Sequence, residues 1–123
     1  MKKKILSIIA VTGLIMSTGI IANAQQGPTV YGHSSSTYYH GHVNANVTDY
    51  GADAQTCSYR DSGNEGMYAY VQCVNSQGYV IGSGSEGYGS SEAYSGFITR
   101  ASAVGAYGAV GTSTGSSTTY CSF

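Results

Sequence analysis

The amino-acid sequence predicts an all-β fold, a small antiparallel β-sandwich that follows an N-terminal signal peptide. Two stretches, 38–48 and 67–75, alternate between small or apolar residues and polar or aromatic ones, as half-buried strands do. Gly- and Ser-rich segments at 61–66, 82–90 and 111–117 divide the chain at the spacing of a sandwich. Outside the leader, no window combines a helical apolar pattern with a cap and good helix formers, so little helix is expected.

The first 24 residues predict export. A basic segment, Lys2 to Lys4, precedes an apolar stretch from Ile5 to Ile21, and Ala22-Asn23-Ala24 gives the small-x-small pattern that signal peptidase reads. We expect cleavage before Gln25 and a protein that is secreted or periplasmic, the sequence leaving that choice open. A retained membrane anchor is the alternative, but the apolar stretch is short and interrupted by glycine. Residues 25–123 then form a single β-rich domain.

The best-defined strand, 38–48, has two different faces. One carries small and apolar side chains: Tyr39, Gly41, Val43, Ala45 and Val47. The other carries Tyr38, His40, His42, Asn44, Asn46 and Thr48. The second alternating stretch also has two faces. One carries Met67, Ala69, Val71 and Cys73, and the opposite one carries Tyr68, Tyr70 and Gln72. We expect the apolar faces of both strands in the core.

An internal repeat is also predicted, between 31–59 and 88–123. Segments 31–52 and 88–109 share a Tyr-Gly start, a Ser pair and a closing Tyr-Gly-Ala. Three pairs of residues are each offset by 57: Tyr31/Tyr88, Val47/Val104 and Tyr50/Tyr107. Two related halves would pack as layers around one core. Chance similarity in a chain rich in Gly, Ser and Tyr is the alternative.

The charge of the exported part restricts its partners. Removal of 24 of the 123 residues leaves 99, with Arg60 and Arg100 against six acidic residues, a net charge of −4. Two scattered arginines cannot neutralise a run of phosphates, so nucleic acid and anionic membranes are poor partners. Large aliphatic residues are few, and all 12 tyrosines follow the leader. We therefore expect tyrosine rings to supply part of the core.

Three cysteines are an odd count for an oxidising compartment. Cys57 and Cys73 lie at equal distances from Glu65, inside the turn segment 61–66, so we expect a disulfide across a hairpin. Cys121 would then be free, would join two chains in a dimer, or would be the true partner of Cys57 through the repeat. Zinc is not expected, because no cysteine lies two to four residues from another cysteine or histidine.

The sequence GSGSEG, 82–87, has the spacing of a dinucleotide-binding loop. That fingerprint opens a helix and has an acidic residue about twenty positions further on. Here a Ser- and Tyr-rich stretch without helical character follows, and no acidic residue occurs after Glu92. We interpret the segment as a loop and expect no cofactor. No motif positions a Ser-His-Asp triad or a carboxylate pair either, so enzymatic activity is not predicted.

The remaining candidate site is a polar, aromatic strand face. Rigid tyrosine rings among short amide and imidazole groups, with little charge, are typical of binding surfaces. The candidate binding residues are Tyr38, His40, His42, Asn44, Asn46, Tyr68 and Tyr70. The alternative is that the tyrosines cover a second layer as core residues. No metal site is predicted. The weak candidates for metal ligands are His33, His40 and His42, of which His40 and His42 share a strand face.

The exported leader, the start rich in Tyr, Ser and His, and the alternating strand resemble those of lactococcin-like β-sandwich bacteriocins. The resemblance covers about the first third of the mature chain, and the cysteines and acidic balance depart from it. It implies a secreted bacteriocin or toxin. The residues themselves favour an exported, non-catalytic binding or surface-interaction protein for an unidentified protein or glycan ligand. A small secreted hydrolase or metal-binding protein is the third alternative.

Overall fold

The computed structural model describes residues 23–48 and 51–123. These residues form eleven β-strands in two antiparallel sheets that pack face to face, and the described part contains no helix. The predicted all-β antiparallel sandwich is therefore confirmed. In the same residues, no helix is long and apolar enough to span a membrane.

The first sheet is built around a long hairpin. Its strands are β1 (Asn23–Gln26), β2 (Val30–Ser34), β3 (Thr37–Thr48), β4 (Gly51–Ser62), β8 (Glu92–Tyr94) and β9 (Ile98–Arg100). β3 and β4 lie at the centre. β1 and β2 pair with successive parts of β3, and β8 and β9 pair with successive parts of β4. The sheet is thus four strands wide.

The second sheet has the same width. Its strands are β5 (Met67–Val74), β6 (Val80–Ser83), β7 (Gly87–Gly89), β10 (Gly105–Thr112) and β11 (Gly115–Ser122). β10 lies between β11 and β5, and β6 and β7 follow one another along the free edge of β5. The chain therefore completes a hairpin in one sheet before it crosses to the other.

Alternation along the strands selects the core. Among the described residues, one group of buried residues between the sheets is Val43, Ala45, Ala54, Val71, Cys73, Ile98, Ala106 and Cys121, and another is Tyr39, Met67, Ala69, Ala93 and Val110. The predicted inward faces of β3 and β5 are confirmed, because their small and apolar residues are buried, except Val47 near the end of β3, which is half-buried. Among the described tyrosines, Tyr39 alone is buried, and its hydroxyl lies 3.0 Å from Ser117 Oγ. Of the tyrosine rings expected to supply part of the core, the structure buries this one.

The segment 63–66 carries the chain from the first sheet to the second. Thr37 Oγ1 accepts hydrogen bonds from the backbone N–H groups of Asn64 and Glu65, which ties the segment to the start of β3. Gly63 adopts a φ of 97°, a left-handed conformation that glycine tolerates best. This is a corner between sheets, so the predicted hairpin between β4 and β5 is wrong.

The cysteines are correspondingly unpaired: all three are free and buried. Cys57 in β4 lies opposite His42 and Tyr94, whereas Cys73 lies in the second sheet. The expected Cys57–Cys73 disulfide is therefore absent, because Cys57 points to the outer side of the first sheet, whereas Cys73 faces the core from the second sheet. Cys73 and Cys121 are separated by β10, roughly 10 Å apart across two strand spacings, beyond the reach of a disulfide. A dimer through Cys121 would need the end of β11 to open, since its side chain is buried.

The segment predicted as a loop, 82–87, is partly strand. Its first two residues end β6, and Gly87 begins β7, so the irregular part is 84–86. Here the chain bends around the sheet edge, where Gly84 N–H donates to the Val71 carbonyl and Gly96 N–H to that of Ser85. A Cβ at Gly87 would overlap the carbonyl of Tyr94. The glycine spacing therefore reflects close backbone approach between edge strands.

Two predictions on chain organisation stay predictions. Residues 1–22 of the predicted leader lie outside the described residues, and its last two residues, Asn23 and Ala24, are part of β1. The single domain at 25–123 corresponds to the sandwich. The predicted repeat halves, 31–59 and 88–123, contribute different sets of strands to the two sheets.

Candidate functional site

The outer surface of the first sheet carries a continuous group of aromatic side chains. We call it the aromatic face; its residues are Tyr31, His33, Tyr38, His40, His42, Tyr59 and Tyr94. They point outward because they alternate with buried residues along β2, β3, β4 and β8. The strand register brings Tyr31, His40 and Tyr59 side by side across three strands, with Glu92 as the fourth in the row.

The rings of this row contact one another. The ring centroids of Tyr31 and His40 lie 5.6 Å apart, and those of His40 and Tyr59 lie 5.2 Å apart in a stacked arrangement. Tyr59 also meets Tyr94 edge to face, with centroids 6.0 Å apart, and His42 at 6.0 Å. Such pairs prefer these offset and edge-on geometries because the ring faces are negative and the edges positive. The contacts hold the rings as one rigid surface.

A second ring pair extends the face along β2 and β3. The centroids of His33 and Tyr38 lie 5.3 Å apart. The pairing of β3 with β4 shifts register between Tyr38 and Tyr39, so the strand is irregular where it presents the Tyr38 ring. Tyr38 is 55% exposed and Tyr31 75%, which leaves both rings largely open to solvent.

The charge of the aromatic face depends on the ionisable side chains of His40, His42 and Tyr94 and on the carboxylates beside them. His40 Nδ1 lies 2.7 Å from Asp61 Oδ1. Burial, and then the nearby charge of His40, lowers the pKa of His42, which favours its neutral form. Burial raises the pKa of Tyr94 to about 12, and its hydroxyl donates to Glu92 Oε1 at 3.0 Å. The His42 imidazole and the Tyr94 hydroxyl are therefore neutral at physiological pH.

Cys57 lies beneath the rings rather than in the core. It is 1% exposed, although it points to the outer side of β4, and Asn44 Nδ2 donates to its Sγ over 3.5 Å. Burial raises the pKa of its thiol to about 12. A thiol in this state holds almost no thiolate, so it is a poor nucleophile and metal ligand.

The lower part of the first sheet is polar without being aromatic. Asn44 pairs with Gln55 across β3 and β4, and Asn46 pairs with Asp53. Gln55 Nε2 donates to the Ser95 carbonyl at 3.0 Å, and the Thr99 hydroxyl donates to Asp53. The Oδ1 atom of Asn46 is buried and has no hydrogen-bond partner in the structure. This amide region continues the aromatic face along β3 and β4.

The structure gathers five predicted binding residues on one surface and separates two. Together on the first sheet are Tyr38, His40, His42, Asn44 and Asn46. Tyr68 and Tyr70 lie on the outer side of the second sheet, so their assignment to the same face is wrong. There Tyr68 donates to Glu86 Oε2 at 3.1 Å and contacts Tyr88. Two sheets of the sandwich separate them from His40.

Sequence reasoning missed the residues that complete the face, which are Tyr31, Tyr59, Asp61, Glu92 and Tyr94. A signal for two of them was present: Tyr59 and Asp61 belong to an alternating series with Asp53 and Gln55. The series was obscured because the inward positions between them include Thr56 and Ser58 rather than large apolar residues.

The weak metal candidates do not converge. His33 contacts Tyr38, and His40 contacts Asp61. Among the residues that the structure describes, no three His, Cys, Asp or Glu side chains are close enough together to hold a metal ion. Comparisons of the chain with protein-family models, with curated proteins and with solved structures gave no match.

Proposed function

We propose that this chain is an exported, non-catalytic binding protein that uses the aromatic face of its first sheet. The observation that carries the proposal is the row of mutually contacting rings across β2, β3, β4 and β8, open to solvent at Tyr31 and Tyr38. Export rests on the leader pattern at residues 1–24.

Packing of the sandwich does not account for these rings. The core groups around Val43 and Met67 lie between the sheets, and the aromatic face lies on the far side of the first sheet. A ring that is 75% exposed, as in Tyr31, contributes little to the burial of apolar surface on folding. Tyrosine side chains lose little conformational entropy on binding, because only two torsions are fixed, and they present both an apolar ring and a hydroxyl. These properties favour recognition of a ligand.

The chemistry of the face supports binding rather than catalysis. Its one thiol, Cys57, is buried and has a raised pKa, the opposite of an activated cysteine. Its carboxylates are held by hydroxyl or imidazole groups: Asp61 by His40, and Glu92 by Tyr94. A hydrolase needs a nucleophile or water oriented by a base, and the face offers fixed rings and short polar groups instead.

The test is binding of labelled residues 25–123 to an array of neutral and charged glycans and of basic, neutral and acidic peptides. The Tyr31→Ala/Tyr38→Ala double variant should lose binding, because it removes the two most exposed tyrosine rings of the face. Tyr79→Ala is the matched control, since Tyr79 is 70% exposed but lies in the turn between β5 and β6. Circular dichroism checks that each variant folds. Unchanged binding by the double variant, or equal loss in the control, would contradict the proposal.

A further inference from the structure

The aromatic face carries one carboxylate at the β8 end of its ring row and a second beside His40, inside the row. Glu92 stands next to Tyr59 in the strand register, and Asp61 contacts His40. A third carboxylate, Asp53, lies further along β4 on the same side of the sheet. A ligand seated on His40 or Tyr59 therefore lies next to a residue that contacts or neighbours a carboxylate.

No arginine or lysine neutralises these carboxylates among the described residues. The two arginines outside residues 1–22 direct their guanidinium groups elsewhere. Arg60 Nη1 donates to the carbonyls of Glu65 and Ser90, and Arg100 Nε donates to the carbonyl of Ile81 in the second sheet. The only ion pair that the structure shows in the described part joins Asp61 to His40, whose charge depends on protonation.

The rings add to the attraction for a cation. The face of a tyrosine ring is the negative end of its quadrupole, so it attracts ammonium and guanidinium groups. A guanidinium group stacks flat on such a ring while its N–H groups bind a carboxylate in the plane of the guanidinium. Tyr31, which is 75% exposed, lies beside His40 in the strand register, and His40 contacts Asp61, so an open ring and a carboxylate lie near the same imidazole.

We propose that the aromatic face binds a cationic peptide segment, whose arginine or lysine side chains stack on the exposed ring of Tyr31 and pair with Asp61 and Glu92. The inference rests on the proposed function and names the ligand class of the same site. Charge complementarity selects this ligand: residues 25–123 have a net charge of −4, and in the described part no arginine or lysine competes for the carboxylates of the face. Acidic ligands are repelled for the same reason.

The experiment measures fluorescence anisotropy of three short labelled peptides, in which Gly alternates with Arg, Gln or Glu, against residues 25–123. Two substitutions form a matched pair. Glu92→Gln removes a carboxylate that accepts from a tyrosine hydroxyl on the aromatic face, and Glu86→Gln removes one that accepts from Tyr68 and Tyr88 on the second sheet. Both change the net charge equally. Asp61→Asn/Glu92→Gln is the stronger variant, and circular dichroism confirms that each variant folds.

The Arg peptide should bind, and the Gln and Glu peptides should not. We expect the double variant to weaken binding by roughly threefold to tenfold, as the loss of two exposed ion pairs does, and added salt to weaken it further. Glu86→Gln should leave binding unchanged. Equal weakening by Glu86→Gln and Glu92→Gln would overturn the inference, because net charge alone would then explain it.

A second result would separate this inference from the proposed function. A neutral β-linked glucose oligosaccharide serves as the competing probe. If it binds, if Tyr31→Ala abolishes that binding, and if the Arg peptide does not bind, the cationic ligand class is wrong while the aromatic face remains a binding surface. If the Arg peptide binds and Tyr31→Ala has no effect on it, the assignment of the ring row to that ligand is overturned.

Discussion

The three cysteines are expected to behave as free, protected thiols in the folded protein and as three reactive thiols once it unfolds. Cys57 is buried under the aromatic face, and Cys73 and Cys121 are buried between the sheets; their exposed fractions are 1%, 0% and 3%. The first sheet separates Cys57 from the other two, and β10 separates Cys73 from Cys121. No pair of these residues is placed for a disulfide.

The magnitude of the protection follows from the thiol pKa values. Burial raises the pKa of Cys57 to about 12 and that of Cys73 to about 11, from an ordinary value of 9.0. At about pH 8 the thiolate fraction is then roughly one in ten thousand for Cys57 and one in a thousand for Cys73, against about one in ten for an ordinary thiol. Reaction with Ellman's reagent should slow by about a thousandfold and a hundredfold from this cause alone, before steric protection is counted.

The assay compares folded and unfolded protein without reductant. Residues 25–123 at about pH 8 should release almost no chromophore from Ellman's reagent within minutes, and in about 6 M guanidinium chloride they should titrate as three thiols per chain. Pre-reduced protein is the control. One thiol per chain in guanidinium before reduction, and three after it, would show a disulfide and refute the separation of Cys57 from the inner cysteines. Rapid reaction of the folded protein would refute their burial.

Two further predictions concern the packing of the two sheets at Gly108 and the pH dependence of stability that His42 causes. Gly108→Ala should reduce the free energy of unfolding by about 1–3 kcal/mol, because its Cβ would overlap Val43 and Thr56 where the sheets meet; Gly66→Ala, with ordinary space around its Cβ, should change it little. Guanidinium unfolding followed by circular dichroism measures both, and equal effects would contradict the packing argument. The folded state lowers the pKa of His42 below its ordinary 6.5, so the unfolded chain takes up a proton that the folded chain does not. The free energy of unfolding should therefore fall as pH decreases below about 6.5, and fall less in His42→Gln; identical pH dependence in the two proteins would rule out this role for His42.

The inward and outward positions of the strands were predictable because alternation is a local property. Val43 and Val71 are buried as their patterns predict, and His40 and His42 share the outer face of β3. A strand with one buried face repeats every two residues whatever it pairs with, so no knowledge of its neighbours is needed. The fold class followed from the same regularity.

The path of the chain between sheets was not predictable from the turn segment. Residues 61–66 have the composition of a tight hairpin turn, and the same composition suits a corner between sheets. The corner is tied down by a contact remote in sequence: the Thr37 hydroxyl accepts from Asn64 and Glu65 across 27 and 28 residues. The chain therefore crosses to the second sheet instead of returning beside β4. A prediction of the disulfide from symmetry about the turn fails for this reason.

The contrast between alternation within a strand and the order of strands in a sheet also explains which residues of the aromatic face were predictable from the sequence. Residues on one strand, such as His40 and His42, share a face by alternation alone. Whether Tyr59 or Tyr68 joins them depends on which strand lies beside β3, and both residues are tyrosines that face outward from their sheets. Because β4 stays in the first sheet while β5 belongs to the second, Tyr59 stacks on His40, and Tyr68 lies on the opposite surface with Glu86. The aromatic face is thus a property of the sheet order, and its ring row requires β2, β3, β4 and β8 together.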